Sequence, residues 1–560
     1  MTNDEARVRI APLGGVGEVG KNSTVIEYGE DLIIVDAGVK FPEAELHGID
    51  LVVPDYGYVG ERLSSLLGIV FTHGHEDHIG GLPYLIMQLD PHEPIPIYGT
   101  ALTLGLITVK LKEHGMLGRV EQYVIQDAQS TQLGPFDIEP MAVNHSIPDA
   151  VGLVIRTPVG TLFHTGDFKF DPTPVEGKTT DNQRLRELGE EGVLVLMSDC
   201  VRVEQSGWTA SEWGVREAIE DLIASAPGRV LVTTFASNIG RLREVVRSAH
   251  KLGRTTAVVG RSMEENLKVA RELGFLDVPE GSIVDVRETS GLPPEKVVLL
   301  STGSQGEPTS VLSRMARGDH PVVRIQPGDT VVFSASPVPG NEESVARAID
   351  NLFRRGARVV YQQIDPRVHV SGHASREELK HLLVLVKPHY LIPLHGEHRM
   401  LWLLRELAVE AGIEGGNVFL TEIGDVVSFS ATDARRDESI PSGSMLVDGL
   451  TVGEVTNVVL RDRRRLAADG VLFVSVTLDR ETGDLLSGPD FVSRGFLQAD
   501  RDDDGLYDEA RERVAEALTS GDARQPDVGY LVGKVRDTLN SFVYERTRRR
   551  PMILPVVTEV

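Results

Sequence analysis

The sequence predicts an α/β protein of stacked sheets, with a parallel α/β domain inserted into it and a small α/β domain at its C-terminus. Three observations carry this expectation. Short apolar runs recur up to residue 164 with few helical stretches between them, which favours stacked sheets over a doubly wound one. Residues 206–360 instead alternate strand-like and helix-like segments. Finally, the apolar run Ile69-Val70-Phe71 ends in Thr72-His73-Gly74-His75-Glu76-Asp77-His78, so a strand delivers imidazoles and carboxylates to its tip.

At 560 residues the chain exceeds one core, and its 41% hydrophobic content supplies several. The single Cys200 excludes an internal disulfide framework, and the polar, acidic start at 1–9 is unlike a signal peptide, so the cytoplasm is expected. No window approaches the ~18 consecutive apolar residues of a membrane helix. A formal net charge of −26 argues against a nucleic-acid partner, because such proteins usually carry a basic footprint. Net charge does not fix the potential of one cleft, however, which bound dications and a few Arg or Lys can reverse. The runs 461–465 and 546–550 are candidate basic patches, with a solvated face as the plainer reading of each.

Taken in order, 7–11 reads as a strand leading into Gly15-Val16-Gly17-Glu18-Val19-Gly20, a G-x-G-x-x-G match. The β-branched stretch that follows, 23–28, is another strand, whereas a dinucleotide fingerprint must open a helix. The glycines therefore read as a hairpin loop beside the active site. Further strands are expected at 32–36, 69–72, 95–98, 120–125, 138–143, 152–156, 161–164 and 193–197. His145, Asp167 and Asp199 fall at strand ends, where loops on a rigid scaffold carry chemistry. His164 lies inside a strand and defaults to packing, and Asp199 is open between a supporting and a catalytic role.

The cluster His73, His75, Asp77 and His78 offers nitrogen and oxygen donors suited to zinc, with no thiolates for a closed structural site, so an open catalytic centre is expected. In the insert, strands at 230–235, 256–259, 297–302, 331–334 and 359–361 alternate with helices at 239–252, 263–273 and 342–353. Ser237 and Asn238 open a helix, and 301–306, with Ser304 at its centre, is a Gly/Ser loop; both suit phosphate, although a plain cap and a plain turn would look the same. His395 ends the apolar run 390–394, repeating the logic of His73. Seven other histidines, among them His47, His114 and His381, lack ligand-type spacing. The stretch 431–444 reads as a linker. Asp500, Asp502, Asp504 and Gly505 imitate a calcium loop but lack its closing Glu, since Arg511 stands there.

The signature His73-x-His75-x-Asp77-His78 resembles that of the metallo-β-lactamase superfamily. Asn144-His145-Ser146, Thr165-Gly166-Asp167, Ser198-Asp199, the run His369-Val370-Ser371-Gly372-His373-Ala374-Ser375, and Leu394-His395-Gly396-Glu397-His398 follow in the order of its β-CASP nucleases. From about residue 7 onward the chain closely resembles the bacterial ribonuclease J family, with no departure at the metal-ligand positions. The resemblance implies a metallo-β-lactamase αββα sandwich from 1–205 and 361–430. It implies a β-CASP domain at 206–360 closing an RNA channel, a linker at 431–450, and a C-terminal domain at 451–560 supporting a homodimer.

For the chemistry it implies a two-metal ribonuclease in RNA decay and maturation. His73, His75 and His145 would hold one divalent ion, Asp77, His78 and His395 the other, and Asp167 would bridge them; zinc is the first candidate and manganese the second. His369, Val370, Ser371, Gly372 and His373 would hold the scissile-side phosphates, with His373, oriented by Asp199, as candidate general acid. A 5′ phosphate held by Ser237, Asn238 and the 301–306 loop would fix the cut near that end, giving a 5′-to-3′ exonuclease that prefers monophosphate ends, with endonuclease activity beside it. RNA, a second copy and an RNA-degradation complex are the partners expected, and no membrane. A small-molecule hydrolase of the same superfamily would share the ligands but needs no such insert, and an RNA-binding factor on a dead scaffold would have lost ligands that are all present.

Overall fold

The computed structural model describes residues 6–43, 45–175, 177–306, 310–338, 341–449, 451–497, 505–519 and 528–560. The chain divides into two compact units, one running to Phe41 and resuming at Leu51–Met445, the other made of Pro42–Asp50 and Leu446–Val560. Within the larger unit, an eight-stranded sheet and a six-stranded sheet share one core. Ile10, Ile33 and Ile69 of the first join Leu153, Leu162 and Leu196 of the second in it. Strands with both faces covered read as continuous apolar runs, which is why Tyr390–Leu394 and Val195–Asp199 are buried at every position.

Parallel pairing positions the chemistry. In the first sheet Asp31–Val35, Leu66–Val70, Ile95–Gly99 and Val120–Val124 run parallel, with helices Leu82–Leu89 and Ala101–Glu113 in the crossovers. In the second, Gly160–His164, Val195–Asp199 and Tyr390–Leu394 run parallel with His164 opposite Met197 and Asp199 opposite Leu394. The residues that follow these strands, Asp36, His73, Asp167 and His395, thus emerge at carboxyl ends, where open α/β sheets bind ligands.

The insert is a six-stranded, wholly parallel sheet with Val230–Thr233 inside it, flanked by Val297–Ser301 and Thr330–Phe333. Alternation along one strand divides its burial: Val230 and Val232 join the large core, while Leu231 faces a second core closed by Leu312, Ile349 and Leu352. The αββα sandwich and its parallel insert match the expected class. Helices are more numerous than the sequence suggested, with Asn182–Glu191, Glu212–Ser225 and Arg376–Val386 among those not anticipated.

Residues 431–450 carry a strand, Ala434–Arg436, at the edge of the first sheet, held by Arg7 to Asp433 (2.5 Å) and Arg436 to Asp425 (3.1 Å). An edge strand facing water is polar by necessity, which explains its linker-like composition. In the smaller unit, Val471–Leu478 alternates as expected, burying Leu472, Val474 and Val476 against helices Leu506–Thr519 and Val528–Thr547. The arginine run 461–465 lies on helix Asn457–Asp469 and is not simply a solvated face. Arg463 donates to His47 O and Gly48 O, and Arg465 donates to Arg550 O. Asp500, Asp502 and Asp504 lie outside the described residues. No helix among the described residues is long and apolar enough to cross a membrane.

Candidate metal centre

Two overlapping donor groups sit at these strand ends. His73, His75, His145 and Asp167 form one, and Asp77, His78, Asp167 and His395 the other; within each, one atom per residue lies within 4.8 Å of all the rest. His75 Nδ1 stands 3.2 Å from His73 Nε2 and 3.1 Å from His145 Nε2. Asp167 Oδ2 lies 3.6 Å from both His73 Nε2 and His145 Nε2 and 3.2 Å from His78 Nε2, while its Oδ1 is 2.8 Å from His395 Nδ1. His73, His78 and Asp167 are buried, whereas His75 and Asp77 keep partial exposure, so the centre opens on one side.

A second layer of hydrogen bonds aims these rings. His73 Nδ1 donates to Thr72 Oγ1 (3.0 Å), whose hydroxyl donates to Asp36 Oδ2 (2.8 Å), and His78 Nδ1 donates to the same oxygen (2.8 Å). His145 Nδ1 donates to Gly372 O at 2.8 Å. Each bond fixes a tautomer that turns Nε2 toward the centre. Glycine is required at 372, since a Cβ there would lie 2.6 Å from the His145 ring. Asp36 (φ 62°) and His395 (φ 51°) occupy left-handed backbone, a cost of about 1–3 kcal/mol each that a functional site commonly carries.

The electrostatics fit divalent cations. Burial pulls His75 down to about 4 and holds His73 and His145 well below their ordinary range, so three neutral imidazoles turn nitrogens toward one another. Burial also opposes charge on His395, but Asp167 and Asp77 outweigh it and raise the ring to about 10; Asp167, Asp77 and Asp36 likewise lift His78. Clustered carboxylates that demand positive charge, and imidazole nitrogens with no proton to share, are both satisfied by a metal. His395 Nε2 points the same way: it is buried without a hydrogen-bond partner, although Asp77 Oδ2 is 3.3 Å away.

Beside this centre His373 Nδ1 donates to Asp199 Oδ2 at 2.8 Å, which joins the two residues the sequence had paired. Burial lowers the His373 pKa, yet Asp199 and Asp167 raise it more. His164 accepts from Gly166 N through Nδ1 and so has the packing role expected of it. His398 begins helix His398–Glu410 and is exposed, away from the ligand set. Several supporting residues were not anticipated. Asp36 ends an apolar strand, the same signal that marked Asp199, and could have been found by it. Asn22, whose Nδ2 donates to Asp77 O (3.2 Å), and Arg241 had no local signal. Arg241, from the insert, donates to Ser334 O (2.7 Å), His369 Nδ1 (3.0 Å) and Glu212 Oε1 (2.5 Å), tying the insert to the segment that carries His369 and Val370.

In the insert, Asn238 caps helix Ile239–Lys251 by accepting from Arg241 N, so the plain cap reading is real for its side-chain oxygen. Ser237 is partly exposed and Ser304 buried. Thr233 pairs in register with Ser301 on one side and Phe333 on the other, so the loops 234–238, 302–306 and 334–338 leave three neighbouring carboxyl ends together.

Known families cover the chain in four stretches. The model described as Beta-lactamase superfamily domain matches residues 31–196 and Ribonuclease J, beta-CASP domain matches 227–352. Zn-dependent metallo-hydrolase RNA specificity domain matches 356–419, and Ribonuclease J C-terminal domain matches 458–560. Ribonuclease J2 of Bacillus subtilis (strain 168) is 41% identical over 554 residues, 99% of each chain. The chain belongs to the ribonuclease J family. Ribonuclease J 1 of Streptococcus pyogenes serotype M3 is 42% identical over 563 residues, covering 100% of this chain and 99% of its own. Ribonuclease J 2 of Staphylococcus aureus (strain NCTC 8325) is 37% identical over 554 residues, 99% of this chain and 98% of its own. A crystal structure of a protein of unknown function from Enterococcus faecalis V583 is similar in fold, with TM-score 0.52 at 16% identity over 76% of this chain and 100% of that one. As a ribonuclease J family member with these domains, the chain is a metal-dependent hydrolase acting on RNA.

Proposed function

We propose that this ribonuclease uses two divalent ions, zinc or alternatively manganese, and degrades RNA from the 5′ end with preference for a monophosphate there, also cutting internally. The observation that carries the two-metal reading is the pair of donor groups sharing Asp167. His73, His75 and His145 hold one ion and Asp77, His78 and His395 the other. Bound there, the ions supply Lewis acidity to a phosphodiester and lower the pKa of a water. Asp199 fixes Nδ1 of His373 and leaves Nε2 to protonate the departing 3′ oxygen. His369 to Gly372, the segment leading into His373, would bind the scissile-side phosphates.

The 5′ preference is read from the three loops that leave neighbouring strand ends of the insert, where Ser237, Asn238 and Ser304 would serve as neutral donors to a phosphate. A phosphate held there sets the distance to the cut, whereas a triphosphate brings charge that neutral donors do not balance. RNA labelled at either end, bearing a 5′ monophosphate or triphosphate, tests this with and without chelator. Chelator should stop all cleavage, and the monophosphate should be degraded faster, mononucleotides leaving first from the 5′ end. Equal rates reject the monophosphate preference, and products leaving first from the 3′ end reject the 5′ exonuclease reading.

Replacing Ser237 and Asn238 together with Ala is expected to reduce the monophosphate-to-triphosphate rate ratio about tenfold, a loss of about 1.4 kcal/mol of selective binding, with internal cleavage nearly unchanged. If the ratio keeps its wild-type value, both residues serve only the helix start. The protein acts as a homodimer in the cytoplasm, alone or within an RNA-degradation complex. Removal of residues 446–560 should halve the mass seen by light scattering beyond the deleted residues themselves, and a dimer that persists rejects the role of that domain.

A further inference from the structure

We infer that Glu378 is a positioning residue for RNA cleavage, a single buried carboxylate that fixes the loop after Asp167 and the loop after His373 to each other through backbone N–H groups. The inference rests on the reading above that His373 takes part in the reaction. Glu378 is 0% exposed, and its two oxygens accept three backbone bonds from three separate parts of the chain. Oε1 accepts from Phe170 N (2.8 Å), three residues beyond Asp167. Oε2 accepts from Thr209 N (2.7 Å) and Ser375 N (2.8 Å), the latter two residues beyond His373.

Thr209 extends the node to the proton donor itself. Its hydroxyl donates to His373 O at 2.8 Å and lies 2.8 Å from Ser375 Oγ. On the other side, Lys169 N donates to Asn144 O (2.8 Å), so the loop held by Glu378 is also bound to the residue preceding His145. Glu378 therefore sits where the segments carrying Asp167, His145 and His373 are tied to one another.

A plainer role is the start of helix Arg376–Val386, where Ser375 and Glu378 form a capping box. That role uses one of the three bonds, and glutamine fills it as well as glutamate does. The difference gives the test. In Glu378→Gln, one oxygen can still cap the helix, but the amide NH2 faces a backbone N–H and cannot accept from it. Outer partners of this kind typically cost about 10–100-fold on mutation, and a fall of that size in kcat is expected, with KM for RNA and metal content unchanged. With the oxygen kept where it caps the helix, it also keeps Thr209 N, so amide hydrogen exchange should quicken at Phe170 while the helix stays protected.

A Glu378→Gln enzyme with wild-type kcat overturns the inference, as does a loss of activity that only tracks the folded fraction. Thr209→Val keeps the carboxylate and removes only the hydroxyl, so it tests the same node should the first variant fold poorly; reduced kcat at constant KM is expected, and wild-type kcat overturns the proposal. His373→Ala separates the two levels of argument. If that variant cleaves normally, the role of His373 is at fault; if it is inactive while Glu378→Gln is normal, only the positioning role fails.

Discussion

Replacing Asp167 with Ala is expected to abolish RNA cleavage, lowering kcat/KM by on the order of 10³-fold or more, about 4 kcal/mol of transition-state stabilisation. Asp167 is the one residue common to both donor groups, and its two oxygens face His78 Nε2 and His395 Nδ1 at 3.2 and 2.8 Å. Removing it strips both groups of a shared anion without opening an apolar core, so the fold should survive. His78→Ala should behave likewise. Elemental analysis beside an RNA assay decides the matter: full metal content together with retained cleavage in either variant would sink the two-metal assignment.

Arg241→Ala should produce the largest loss of stability among single changes at the base of the insert, about 3–5 kcal/mol, because it leaves a buried charge without its partner. Arg241 and Glu212 have side chains only 1% and 10% exposed and meet at 2.5 Å, and the same guanidinium holds Ser334 O and His369 Nδ1. Truncation strands the Glu212 carboxylate in the interior and frees the segment that carries His369. Urea unfolding followed by tryptophan fluorescence measures the change. A double variant, Arg241→Met with Glu212→Leu, should recover much of the loss, since apolar groups of similar volume often replace a buried ion pair at little cost. A single variant as stable as the parent would show the pair to be dispensable.

The sequence made the candidate metal ligands legible because each follows an apolar strand, and strand ends announce themselves by the switch from Val, Ile and Leu to His or Asp. The parallel insert was legible for a related reason, its buried strands being short and wholly apolar. What stayed hidden depends on contacts between distant segments. Nothing near residue 241 says that its arginine meets His369, 128 positions away. Glu378 reads locally as an ordinary first-turn glutamate, and its bonds to Phe170 and Thr209 span 208 and 169 positions. The run 461–465 was legible in part: Arg461 and Arg464 are exposed, as a solvated face would be, while the carbonyl partners of Arg463 and Arg465 lie far along the chain.

The allegiance of Pro42–Asp50 to the smaller unit has a consequence during synthesis. His47 O receives its bond from Arg463, a residue 416 positions later, and Asp50 N donates to Val447 O at 2.9 Å. His47 in this strap is translated 416 positions before Arg463, so the partners that satisfy the strap's backbone are made long after it. Domains generally fold as they emerge, N-terminal first, so the strap must wait outside whatever has already formed, its carbonyls held by water. Limited proteolysis of stalled nascent chains would reveal the wait as cleavage within 42–50 that disappears only once the smaller unit has emerged. The smaller unit thereby acts as a checkpoint: a chain that stops before Leu446 is expected to carry a protease-sensitive mark within 42–50.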